Sequence, residues 1–228
     1  MTRMRTRVKI CGITRPEHGL AAAHAGADAI GLVFWAGTPR RVSIARAAEI
    51  AAAMPPFVSL VGLFVDPDPE EVRAALTAVP LDLLQFHGAE APAFCRQFGR
   101  PYLKAIAVRP ESGEAGLLEC ARGYDDAAGL LFDAPPAGGL PGGTGRTFDW
   151  SALAPRVTQR LSRPIVLSGG LDPGNVGAAI LAVRPWAVDV SSGVEAAGPD
   201  GRPQKGIKDS VRIAAFIEEV RNADVRSA

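Results

Sequence analysis

Of the chain's 228 residues, 47% are hydrophobic and 21% charged, with 25 Lys+Arg against 24 Asp+Glu. A formal charge of +1 leaves no electrostatic footprint for nucleic acid or an anionic membrane surface. Three widely spaced cysteines, Cys11, Cys95 and Cys120, exclude a disulfide framework and a paired-cysteine metal site, and they point to a reducing cytoplasm.

The chain opens on Arg3, Arg5 and Arg7 and runs straight into Val8-Lys9-Ile10, without the apolar stretch of a secretion signal. No apolar run reaches the ~18 residues of a membrane-spanning helix. Short apolar runs then recur along the length: Val8–Cys11, Ala29–Phe34, Phe57–Val65, Leu81–Phe86, Tyr102–Val108, Gly129–Phe132, Pro164–Leu167 and Ala187–Val190. Each is nearly continuous rather than alternating, the pattern of parallel strands covered on both faces. Helical stretches lie between them. Ser43 precedes one over Ile44–Ala53, Asp66-Pro67-Asp68 opens one towards Ala78, and Asp172-Pro173 opens one towards Val183. A last helix over about Asp209–Asn222 places Val211, Ala214, Ala215 and Ile217 on one side. Residues 1–6 and about 223–228 read as loose ends.

Eight strands alternating with helices, and no hydrophobic unit left over, predict a single-domain (β/α)8 TIM barrel. An open doubly wound sheet is the alternative, but its GxGxxG turn after the first strand is missing. In a barrel the chemistry gathers at the carboxyl ends of the strands. Strand one ends in Cys11-Gly12, strand four in Gln85-Phe86-His87-Gly88, strand six in Asp133, and strand eight in Asp189 followed by Ser191-Ser192-Gly193. Strand seven runs into Ser168-Gly169-Gly170. Gly169 and Gly170, with Ser191, Ser192 and Gly193, form a pair of loops suited to a phosphate, because glycine lets backbone amides approach an anion closely. Each motif alone is also an ordinary turn; the pair at these two positions points to a phosphate ester.

Cys11 could serve there as nucleophile or, as thiolate, as proton acceptor. Asp133 closes a wholly apolar strand, where desolvation favours a protonated carboxyl and so a general acid; it could also be a loop cap. Asp189 either orients a substrate or pairs inside the barrel mouth. His87 could line the site. One arginine of Arg40-Arg41 could clamp a carboxylate. No His/Asp/Glu spacing resembles a metal site, and no metal or redox cofactor is needed.

These residues resemble the phosphoribosylanthranilate isomerase family of tryptophan biosynthesis. The resemblance rests on Val8-Lys9-Ile10-Cys11-Gly12-Ile13-Thr14, Gly26-Ala27-Asp28-Ala29, Gln85-Phe86-His87-Gly88, the run from Gly142 to Trp150, Leu167-Ser168-Gly169-Gly170-Leu171, and the run from Val188 to Glu195. It implies an Amadori rearrangement of N-(5′-phosphoribosyl)anthranilate, without cofactor. It also implies Cys11 as general base, Asp133 as general acid, Arg41 near the anthranilate end, and Asp189 as the strand-eight aspartate. Gly170, Ser192 and Gly193 match phosphate-loop positions. The implied partner is a small phosphoribosyl substrate alone, with no nucleic acid or membrane, for a monomer or homodimer.

The chain departs from the family pattern in a longer polar loop, Ala196–Lys208, and in extra small residues after Asp133. A histidine-pathway isomerase is expected to carry an aspartate where Cys11 stands. A non-catalytic phosphoribosyl-binding protein on a decayed barrel would have lost the acid and base that are both present here.

Overall fold

The computed structural model describes residues 5–135, 145, 147–198 and 201–227. Eight parallel strands close into a barrel: β1 (Arg7–Cys11), β2 (Ala29–Val33), β3 (Ser59–Phe64), β4 (Leu83–Phe86), β5 (Tyr102–Ala107), β6 (Gly129–Asp133), β7 (Ile165–Leu167) and β8 (Ala187–Val190). Each strand pairs with its neighbour in sequence. The last seam joins β1 to β8 from Arg7↔Ala187 to Ile10↔Val190. Among the described residues eight α-helices alternate with the strands: α1 (Pro16–Ala25), α2 (Ile44–Ala53), α3 (Pro69–Ala78), α4 (Pro92–Arg96), α5 (Gly113–Arg122), α6 (Pro155–Thr158), α7 (Val176–Val183) and α8 (Ser210–Arg226). This is the (β/α)8 barrel read from the sequence, and the open sheet is set aside by the β1–β8 pairing.

The near-continuous apolar strands have a physical origin in two-sided burial. Successive side chains point to opposite faces. One set (Ile10, Ile30, Leu32, Phe64, Phe86, Phe132) packs in the core shared with the helices. The alternate set fills the barrel's interior, where Leu103, Leu131, Val166 and Ala187 form one apolar cluster and Cys11, Val33 and Leu63 another. In the same interior register stand Lys9, Gln85, Asp133 and Asp189, all buried.

Helix starts follow the sequence signals unevenly. Ser43 Oγ accepts the Arg46 N–H at 3.1 Å, and Asp209 Oδ1 accepts from Val211 and Arg212 at 2.8 and 3.2 Å. Asp172 instead folds a turn, accepting from Gly174 and Asn175, so α7 begins later, at Val176.

Three expectations need correction. The buried face of α8 is Ile213, Phe216, Ile217, Val220 and Ala223, whereas Val211 is 75% exposed and Ala214 also faces solvent. The larger side chains recurring every three to four residues outcompete the smaller valine–alanine stripe. Residues 5 and 6 and the chain's last turn are not loose. Thr6 donates through its N–H and Oγ to Asp224 at 2.8 and 2.7 Å, and Arg5 pairs with Asp28. The Ala196–Lys208 stretch, expected to be a polar loop, is in part an antiparallel ribbon of β9 (Glu195–Ala197) and β10 (Pro203–Lys208), pinned where Lys208 pairs with Glu195.

Truncating the correct α8 face should be costly. Phe216→Ala is expected to lower stability by about 3–5 kcal/mol in denaturant unfolding, while Val211→Ala changes it by less than about 0.5 kcal/mol. Equal effects would mean that the helix face is wrongly placed.

Candidate active site

The carboxyl ends of the strands surround a cavity of ≈ 660 Å³, counting the space open to solvent. That suits a small phosphorylated ligand. Cys11, Gln85, His87, Asp133, Asp189, Gly169, Gly170, Ser191 and Ser192 all line it, and Gly193 borders the adjoining hollow. Of the residues singled out from sequence, the structure therefore brings all but Arg41 together.

Cys11 is the last residue of β1 and is 5% exposed. Two residues earlier on the same face, Lys9 reaches Asp189 of β8 at 2.8 Å across the β1–β8 seam. Gly31 of β2 leaves the space that both β1 side chains use, since a Cβ there would lie 2.8 Å from Cys11 Sγ and 3.2 Å from Lys9 Nζ. Burial pushes the Cys11 thiol up, while Lys9 and Lys208 pull it down; the outcome is a raised pKa. The resting side chain is then the thiol, not the thiolate. Burial also works against the charge on Lys9, but the Asp189 carboxylate more than offsets it and holds its pKa above the ordinary value.

Asp133 sits across the barrel at the end of β6. Its Oδ1 accepts the Ala134 N–H at 2.7 Å, and its Oδ2 lies 3.3 Å from His87 Nε2. His87 Nδ1 is in turn 3.1 Å from Gln85 Nε2. With the amide donating, Nδ1 is the acceptor and the imidazole proton sits on Nε2, facing Asp133. Gln85 Oε1 is buried and has no hydrogen-bond partner among the described residues. It remains available to a ligand.

The arginine expectation changes. Arg41 is exposed and lines a separate surface groove with Thr14, Arg15 and Arg46, because the turn after β2 points it outward. Arg40 is the cavity arginine, 5% exposed, and its fork is engaged by Glu195 through Nε–Oε1 at 2.7 Å and Nη2–Oε2 at 2.9 Å. The bidentate geometry foreseen for a substrate carboxylate is thus satisfied within the protein.

The two glycine–serine loops meet at one end of the cavity. Asn175 Nδ2 donates to Gly170 O at 2.9 Å, fixing the loop after β7. Gly193 packs so tightly on that loop that a Cβ would collide with the Leu171 carbonyl oxygen. Only glycine lets the two loops touch. The Gly170, Ser192 and Gly193 amides have no acceptor among the described residues. Residues 136–144 and 146 lie outside the described residues, and with them most of the glycine-rich segment singled out as an active-site loop.

Three buried charged positions beside the cavity escaped the sequence reading. Lys9 carried a usable signal, its two-residue spacing from Cys11. Glu195 closes a motif noted for its serines and glycine. Lys208 gave no sign at all, lying in what read as a polar loop.

The family model for N-(5′-phosphoribosyl)anthranilate isomerase matches residues 8–219. A curated N-(5′-phosphoribosyl)anthranilate isomerase from Alcanivorax borkumensis is 53% identical over 219 residues, covering 96% of this chain and 97% of its own. Among solved structures, one from Thermotoga maritima, described as monomers generated from a dimeric phosphoribosylanthranilate isomerase, is 39% identical. It superposes with a TM-score of 0.78 and covers 95% of this chain and 99% of that one. Another phosphoribosylanthranilate isomerase, solved with reduced 1-(o-carboxyphenylamino)-1-deoxyribulose 5-phosphate, is 38% identical with a TM-score of 0.80 over the same shares.

The raised thiol predicts a reactivity profile. In a Cys120→Ser background, which removes the exposed cysteine, iodoacetamide alkylation of Cys11 should accelerate about tenfold per pH unit from pH 7 to 9 without levelling off, because only the thiolate reacts. A plateau below pH 8 would show a thiolate at rest and contradict the assignment.

Proposed function

The chain belongs to the N-(5′-phosphoribosyl)anthranilate isomerase family, and on that premise we propose that Cys11 is the general base and Asp133 the general acid of its reaction. The reaction converts N-(5′-phosphoribosyl)anthranilate to 1-(2-carboxyphenylamino)-1-deoxyribulose 5-phosphate in tryptophan biosynthesis. The observation that carries the assignment is the placement of one thiol and one carboxyl, from β1 and β6, on the walls of a single cavity whose end is built of the two glycine–serine loops.

Asp133 gives its proton to the ribose ring oxygen as the bond from that oxygen to C1′ breaks. The anthranilate nitrogen supplies the electron pair for the C1′=N iminium that results. Cys11 then gives up its thiol proton, which restores the one that Asp133 has just lost, and as thiolate takes the proton from C2′, whose acidity the iminium has raised; the electron pair left behind forms the C1′=C2′ enolamine. Transfer of the enol proton to C1′ yields the ketone. Acid and base on opposite walls reach different sides of one sugar. The raised thiol suits this order, since the proton leaves carbon only after the iminium cation has formed beside the sulfur and favoured the thiolate.

His87, held by Gln85, orients the Asp133 carboxyl. Gln85, His87 and Asp189 contact the substrate, and Arg40, its fork held by Glu195, borders the cavity where Arg41 does not. Gly169, Gly170, Ser191, Ser192 and Gly193 receive the 5′-phosphate through backbone amides and hydroxyls. No cofactor enters the scheme. We read the chain as one domain, since the strand–helix units carry it from Arg7 to Arg226. The balanced charge supports a protein without nucleic-acid or membrane partners, and we read it as cytoplasmic and as a monomer or homodimer, a relative being described as dimeric.

The assay is the loss of substrate fluorescence with purified protein. Turnover in the parent, with kcat lower by at least ~10²-fold in both Cys11→Ser and Asp133→Asn, is the expected result. Either variant turning over within threefold of the parent would remove that residue from its role.

A further inference from the structure

Lys208 ends β10 with its side chain entirely buried. Its Nζ donates to the Ser191 carbonyl at 2.8 Å and lies 3.3 Å from Ser191 Oγ and 3.5 Å from Glu195 Oε1. Glu195 holds more than this one cation. It takes the fork of Arg40, and its Oε1 accepts the Gly206 N–H at 2.8 Å. Ribbon, β2 loop and β8 loop are thereby tied at one carboxylate. Ser191 is the residue at which β8 passes into the helical turn Ser192–Val194.

We propose that Lys208 is a positioning residue of the phosphate subsite: its ammonium holds the Ser191 carbonyl and hydroxyl, and so sets the Ser192 and Gly193 amides that receive the substrate's phosphate. The proposal rests on the phosphate reading given above. An ammonium makes charge-assisted hydrogen bonds to both Ser191 oxygens, and a neutral amine makes much weaker ones. With its oxygen accepting from Lys208, the Ser191 hydroxyl is also biased to donate outward, into the cavity it lines.

The protonation of Lys208 is accordingly linked to phosphate binding. The groups facing it are Glu195 of β9, Arg40 after β2, Cys11 of β1, and His18 of α1, whose Nδ1 lies 3.5 Å from the Lys208 backbone nitrogen. Burial and Arg40 disfavour its charge, Glu195 favours it, and its pKa falls to about 8. His18 is held below its ordinary value by burial and stays neutral through this range. Lys208 is therefore charged at pH 7 and loses its proton as pH rises past about 8. A bound phosphate dianion favours the charged form, so affinity should be level at pH 7 and fall above about 8, by up to about tenfold per pH unit.

Calorimetric titration with ribose 5-phosphate, from pH 6.5 to 9.5, tests this on the parent, Lys208→Met, Cys11→Ser and Ser192→Asp. The parent should lose affinity above pH ~8, and Cys11→Ser should keep that inflection, which removes the thiol as its source. Lys208→Met should bind at least ~tenfold more weakly at pH 7, with no inflection. Parent affinity that is flat to pH 9.5 overturns the proposal without recourse to any variant, so a Lys208→Met that fails to fold does not shield it. A folded Lys208→Met that binds like the parent overturns it as well. Ser192→Asp places a carboxylate against the phosphate. If it binds normally, the phosphate reading itself falls and takes this one with it, whereas weak binding by Ser192→Asp beside normal binding by Lys208→Met removes the lysine's role alone.

Discussion

A closed barrel gives every second strand residue an interior position, and whatever charge the chemistry needs must be accommodated there without bulk water. The lower interior is apolar, at Leu103, Leu131, Val166 and Ala187. Above it the same register carries Lys9, Gln85, Asp133 and Asp189. Charges taken out of water are tolerated only when paired and hydrogen-bonded, and each buried charge here has its partner on another strand or loop. Lys9 meets Asp189 across the β1–β8 seam, and Arg40 and Lys208 share Glu195; on the helix-facing side of β5, Lys104 likewise meets Glu90 at 2.7 Å. The site's electrostatics and the cohesion of its loops are one set of contacts.

That arrangement explains a division of labour between the two reactive groups. Asp133 is bound from the backbone and from His87, so its geometry is fixed by neighbours that hold a carboxyl in place. Cys11 has Lys9 within hydrogen-bond reach of its sulfur and Lys208 nearby, but burial prevails over both cations and keeps it a thiol. The base is thus brought into play by the charge that develops on the substrate, while the acid is positioned in advance.

The barrel was legible in the sequence because two-sided burial writes eight apolar runs, and the strand ends led to Cys11, Asp133 and the two glycine loops directly. What stayed hidden shares a cause. Arg40 and Arg41 are adjacent and identical in type, and only the path of the turn after β2 decides which one enters the cavity. The α8 face was misjudged because a run rich in Val, Ala and Ile offers two overlapping stripes, and the packed surface beneath selects between them. Lys208 pairs with residues from other elements, and no local pattern records a partner so far away in sequence.

The seam between β1 and β8 joins residues 180 apart, as Lys9 and Asp189 show, and such a closure carries a larger loop-entropy cost than any pairing of adjacent units. Added stitches lie beside it: Thr6 on Asp224, and the Arg7 guanidinium 3.5 Å over the Trp186 ring. The first and last described turns of the chain are therefore in contact. Topologically the eight strands form a ring in which β8 is as direct a neighbour of β1 as β2 is. A permuted gene that joined α8 to β1 by a linker and opened the chain at a loop on the face away from the cavity would specify the same ring. It would also make the most distant pairing local and one of the present local pairings distant.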